Sequence, residues 1–153
     1  MTNLELIQLF KGLNSCGNLK GVKFSYAVIK NINKIKPEVE AIEKTLQFSE
    51  EFGKFDKERI ELAKKYAKKD DKGEAEIKND TYVMEDTTKF DEEFLALKET
   101  YKKEIEEREK QIEEYQNLLK EEAKIELHKV NLENVPEDIE TKQMNSIYAI
   151  IEE

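Results

Sequence analysis

The sequence predicts a mainly α protein with minor β, a long antiparallel helical hairpin or bundle carrying one or two short strands. Three observations lead there. Ala, Glu, Lys, Leu and Arg supply 75 of the 153 residues, a mixture typical of long helices and coiled coils. Apolar residues recur at steps of three and four over two long stretches. No internal repeat and no Gly/Ser- or Pro-rich linker interrupts the chain, so residues 1–153 are expected to form a single helical domain.

The elements follow in order. Leu4, Leu6, Ile7, Leu9, Phe10 and Leu13 suit a short, largely buried helix over residues 3–13, stopped by Gly12 and the Asn14-Ser15-Cys16-Gly17-Asn18 turn signal. Val28, Ile32, Ile35, Val39, Ile42 and Leu46 then step by 4, 3, 4, 3 and 4. That heptad stripe keeps its phase across Pro37, which predicts one helix kinked near Lys36. Ser49 to Gly53 reads as a joint, and residues 55–69 as a further helix with lysines at its negative end. Asn79-Asp80, between Glu-Ala-Glu-Ile-Lys and Thr-Tyr-Val-Met-Glu, marks a small hairpin or a short strand.

The longest element is expected from Thr88 to about residue 121, a rod on the order of 50 Å at 1.5 Å per residue. Its stripe is Phe90, Phe94, Leu97, Tyr101, Ile105, Arg108, Ile112, Tyr115 and Leu119, with one extra step near Tyr101 that shifts the register. A rod of that length needs a long partner, which the two preceding helices together would supply. Residues 123–131 read as a bent strand, able to pair with the strand near 75–85. After Val135-Pro136 comes a last helix with Met144, Ile147, Tyr148 and Ile151 on one face.

Charge and composition exclude several functions. Charged residues form 40% of the chain, and the formal net charge is −9. Overall acidity argues against broad nucleic-acid binding, which draws most of its affinity from phosphate contacts. One cysteine, Cys16, excludes an internal disulfide framework. The opening residues lack a basic stretch followed by an apolar one, and the longest apolar run is residues 147–151. A chain inside the cytoplasm with no membrane contact is therefore expected.

Chemistry-bearing patterns stay at background. The single histidine, His128, lies over a hundred residues from Cys16, so nothing in the spacing favours a nucleophile with its base. Adjacent carboxylates such as Glu92-Glu93 and Glu106-Glu107 fall where the stripes predict solvent, interleaved with lysines at helical i,i+4 spacing. No Glu-x-x-His element exists, because Ile125 precedes His128 at that spacing. Residues 70–74 do not match a calcium loop. No catalytic residue, metal ligand or cofactor is expected, and the chain reads as no enzyme.

The strongest candidate for a functional surface is the segment 17–36. Lys20, Lys23, Lys30 and Lys34 accompany Phe24 and Tyr26 there, a mixture able to contact an acidic partner or, alternatively, phosphates and bases. The ordinary counterpart is an amphipathic helix with a lysine-rich outer face and its aromatics in the core.

Several stretches together resemble a group of uncharacterised small proteins carried by phages and prophages of low-GC Gram-positive bacteria. They are Gly-Val-Lys-Phe-Ser-Tyr-Ala-Val-Ile-Lys-Asn at 21–31, Lys-Tyr-Ala-Lys-Lys-Asp-Asp-Lys-Gly-Glu at 65–74, Phe-Asp-Glu-Glu at 90–93, and Val135-Pro136 with its short helix. The resemblance implies synthesis in the cytoplasm of an infected bacterium and supplies no catalytic residues. The expected function is a non-enzymatic interaction factor that binds a host or phage protein through helical faces, as a host-factor inhibitor or as an assembly or replication accessory. A homodimer is a corollary. The alternative is a nucleic-acid-binding accessory protein using the basic segment 20–36.

Overall fold

The computed structural model describes residues 1–153 as a mainly α protein with two small two-stranded sheets. The chain divides into two compact units, residues 1–46 with 113–153, and residues 47–112. No helix is long and apolar enough to cross a membrane.

The first unit begins with helix α1, Asn3–Ser15. Thr2 and Glu5 cap it reciprocally: the Thr2 hydroxyl accepts the Glu5 amide at 3.2 Å, and the Glu5 carboxylate accepts the Thr2 amide at 2.7 Å. Helix α2, Val22–Lys44, passes through Pro37 without interruption, as the unbroken phase of its stripe predicts. Its buried face is Phe24, Ala27, Val28, Asn31, Ile35, Val39 and Ile42. Helix α1 packs on α2 and on α6, Thr141–Ile147. The α1–α6 approach is close: a Cβ on Gly12 would lie 2.6 Å from Ser146 Oγ and 2.7 Å from the Ser146 carbonyl oxygen. Only a residue without a side chain fits there.

Residues 113–120, the last turns of helix α5 (Lys102–Lys120), add half-buried Tyr115, Leu118 and Leu119 to this core. At the end of α5 the chain meets its own start. The Asn3 amide donates to the Glu121 carbonyl at 2.9 Å, and the Ala123 amide to the Met1 carbonyl at 3.0 Å.

The end of the chain departs from expectation. Helix α6 stops at Ile147, a 3₁₀ turn covers Tyr148–Ile150, and a strand follows. Ile147 and Ile150 are fully buried, whereas Tyr148 is exposed and Ile151 lies in that strand, so the face expected from Met144, Ile147, Tyr148 and Ile151 is not formed. The expected strand at 123–131 shrinks to β3, Val130–Asn131, paired in parallel with β4, Ile151–Glu152. The expected pairing with the strand near 75–85 is replaced by this one.

In the second unit, β1 (Ile77–Lys78) and β2 (Thr81–Tyr82) pair with each other. Asn79 and Asp80 both take positive φ, 50° and 59°, the two-residue turn that matches strand twist. Closing the hairpin on itself in this way leaves no need for a distant strand. Helices α3, Glu50–Tyr66, and α4, Thr87–Thr100, form the antiparallel helical pair: Glu93 meets Lys65 and Tyr66, while Tyr101 meets Glu58. Helix α4 starts one residue before the expected Thr88, capped by Asp86, whose carboxylate accepts the Lys89 amide at 3.0 Å.

The expected rod over 88–121 is two helices, α4 and α5. The break is Tyr101, at φ −108° and ψ 23°, where the apolar spacing takes its extra step. Its hydroxyl donates to Glu58 Oε1 at 2.7 Å, and its ring meets Phe55 at 5.7 Å between centroids. Helical bonds continue across it, from the Tyr101 amide to the Leu97 carbonyl at 3.1 Å and from the Ile105 amide to the Tyr101 carbonyl at 3.0 Å, so the interruption is confined to this one residue. Phe48, Phe52 and Phe55 form an aromatic row with spacings of 5.9 and 5.6 Å. Arg108 on the α5 stripe lies over Phe48 and Phe52 at 5.7 and 5.8 Å, a cation–π contact that accounts for a cation on an apolar face.

Candidate protein-interaction face

Helix α2 is amphipathic twice over. Its inner face fills the core of the first unit. On the opposite side, Val22, Tyr26, Ile29 and Asn33 step by 4, 3 and 4. This is the period of the buried stripe, half a turn away. These side chains face solvent: Val22 is 89% exposed, and Tyr26 and Ile29 are each 57% exposed. Such a row of large apolar groups on one helix face is a common mark of contact with a partner.

Gly21 sets the start of the helix. At φ 124° it turns the chain into α2 with no side-chain cap, and its carbonyl accepts the Ser25 amide at 2.8 Å. Lysines border the stripe. Lys23 and Lys30 occupy equivalent positions one heptad apart, each directly following a stripe residue. The Lys30 ammonium lies 5.3 Å from the Tyr26 ring centroid. Lys34 donates to the Glu126 carbonyl at 3.0 Å. From Lys20 to Lys36 the chain has five lysines and no carboxylate; Glu38 is the first acid beyond.

The extended segment at 122–130 is fastened alongside by one buried polar side chain. Asn31 Nδ2 donates to the Ala27 carbonyl at 2.9 Å and to the His128 carbonyl at 2.8 Å, and Asn31 Oδ1 accepts the His128 amide at 2.8 Å. The amide side chain thus serves the backbone of His128 as a neighbouring strand would. The imidazole then stands edge-on to Tyr26, with 5.5 Å between ring centroids.

Of the six residues expected to form a binding surface, Lys20, Lys23, Tyr26 and Lys34 are exposed and Lys30 is partly so. Phe24 does not belong with them. It is fully buried beneath α2, because its position falls in line with Ala27, Val28 and Asn31. Val22 and Ile29 take its place on the outside. Their spacing with Tyr26 was visible in the sequence, but the stronger inner stripe masked it. His128 joins the site through Asn31 and the Tyr26 ring, long-range contacts that no local pattern signals.

Other groups with chemical potential are occupied or dispersed. Burial pushes the Cys16 thiol up, away from the reactive thiolate form. No group of three or more His, Cys, Asp or Glu is placed to hold a metal ion. A shallow groove between α3 and α4 is floored by Leu62, Ala96 and Leu97. Its Lys65 and Glu93 are engaged with each other at 2.9 Å: hydrogen bonding from Lys65 and Tyr66 holds the Glu93 carboxyl below the usual glutamate range, and the bond to Glu93 raises Lys65. Comparison with protein-family models, curated proteins and solved structures returned no match for this chain.

Proposed function

We propose that the protein is a non-enzymatic protein–protein interaction factor of phage origin that acts through helical faces. It binds a host or phage protein in the bacterial cytoplasm, as an inhibitor of a host factor or as an assembly or replication accessory. The observation that carries this reading is the solvent-facing row of Val22, Tyr26 and Ile29 on α2. Burying three such side chains contributes several kcal/mol to binding at about 1.5–3 kcal/mol each, less the cost of bringing two molecules together.

The nucleic-acid alternative has less support. Phe24, one of its two aromatics, is in the core, and the Tyr26 ring is already in contact with His128 and Lys30. That leaves Tyr26 as the segment's single exposed aromatic, where a run of stacked bases needs several.

The test is capture with the tagged protein from bacterial lysate, with and without phage infection, against a Tyr26→Glu/Ile29→Glu variant. Both positions are exposed, so the variant should keep its circular-dichroism spectrum. A protein retained by the natural chain and lost from the variant supports the reading. Equal capture by both removes α2 as the contact, and a low-salt gel shift that Lys23→Glu/Lys30→Glu abolishes moves the assignment to nucleic acid.

A further inference from the structure

This inference rests on the interaction reading and names the chemistry of the partner. We propose that the outer stripe of α2 receives an acidic amphipathic helix, packed along Val22–Asn33 as the second strand of a short coiled contact.

The heptad positions are legible on the surface. Steps of 4, 3 and 4 place Val22 at d, Tyr26 at a, Ile29 at d and Asn33 at the next a. Lys23 and Lys30 then fall at the two e positions, the places that face the flanking residues of a partner helix. The seam spans about three turns, close to 17 Å at 1.5 Å per residue. An amphipathic helix fits such a face with anchors at i, i+3 or i+4, and i+7. A polar Asn33 at an a position costs some affinity and fixes register by seeking a polar counterpart.

Charge selects among the occupants. A second copy of α2 laid antiparallel sets e-position lysines against each other. Laid parallel, it brings two carboxylate-free stretches of five lysines side by side. Both arrangements are repulsive, and neither sets a carboxylate against Lys23 or Lys30. An anionic bilayer matches the charge, but the seam offers it three apolar side chains on one flank of a packed unit rather than a wide apolar face. A helix with Leu, Ile or Met along its seam and Glu or Asp on its flanks meets both requirements.

The probe is a fluorescein-labelled 21-residue peptide with Leu at a and d, Asn at its central a, and Glu at e and g, titrated against the full chain by anisotropy. A peptide of the same seam with Lys at e and g is the control, and anionic vesicles are run in parallel. The acidic peptide should bind, gain helicity and weaken with salt. Lys23→Glu/Lys30→Glu should weaken it about tenfold, as expected for two flanking pairs turned from attractive to repulsive. Equal binding of the Lys peptide, failure of the acidic peptide to bind, or preference for vesicles overturns the proposal.

The parent reading is scored separately, with a photo-crosslinking amino acid in place of Tyr26. A crosslinked peptide from another protein that is neither acidic nor helical retains the interaction function and sinks this partner. Absence of any protein adduct in infected and uninfected lysate sinks the function itself.

Discussion

Replacing Asn31 by alanine removes three hydrogen bonds at once, and two of them belong to the backbone of His128. A typical bond of this kind contributes about 1 kcal/mol net, and a donor or acceptor left unsatisfied away from water costs about 1–3 kcal/mol. The side chain is fully buried, so the missing amide also leaves a small void. Together these give a loss of about 3–4 kcal/mol in the first unit. Asn31→Asp should be at least as costly. It keeps the acceptor for the His128 amide but turns a carboxylate oxygen toward the Ala27 and His128 carbonyls. The measurement is amide hydrogen exchange, in which the His128 amide reports directly on its bond to Asn31 Oδ1. Protection there should fall by at least a hundredfold in Asn31→Ala, and urea unfolding followed at first-unit amides should shift in step. A loss under about 1 kcal/mol, or unchanged protection at His128, would show that the segment is held by its apolar residues and refute the reasoning.

Gly12→Ala should destabilise by about 1–3 kcal/mol despite alanine's better helix propensity, because the new methyl meets the Ser146 backbone as well as its side chain. Thermal unfolding reads it, and Ser146→Ala should not restore the loss. Asp80→Gly creates an Asn-Gly turn at two positions of positive φ and should stabilise the hairpin by a few tenths of a kcal/mol, seen as slower exchange of the Thr81 and Val83 amides. The Glu93 carboxyl is depressed in the folded chain, so its contribution is complete above the ordinary glutamate range and lost as pH falls through its folded value. Glu93→Gln should therefore flatten the acid limb of the second unit's stability profile, and an unchanged limb would assign that pH dependence elsewhere.

Local chemistry made much of this fold readable. The inner stripe of α2 could be followed through Pro37 because Ile35, Val39 and Ile42 hold one phase across it. Asn79-Asp80 needs only its two residues to turn a hairpin. The break at Tyr101 showed as an extra step in the spacing, whereas its contacts with Glu58 and Phe55, more than forty residues earlier in the chain, did not. The β3–β4 pairing joins residues about twenty positions apart around a helix, and no periodicity encodes that. In the candidate site, the lysines and Tyr26 were legible as a patch. Which aromatic turned inward depended on the line set by Ala27, Val28 and Asn31. A polar Asn31 in that line is the residue a hydrophobic pattern overlooks.

The first unit is assembled from two stretches separated by the whole of the second. On a ribosome, α1 and α2 emerge together, but the parts that cover them, the end of α5, the extended segment and α6, arrive last. At about 5–20 residues per second, the interval between Leu46 and Glu153 lasts roughly 5–20 s. Through that interval Leu6, Leu9 and Leu13 lack α6, while the second unit, contiguous in sequence, can complete itself. Until then the apolar faces of α1 and α2 lack the parts that cover them in the folded unit, and any delay lengthens that exposure. Codon choices that slow synthesis after residue 112 should lower soluble yield more than equal delays before residue 46.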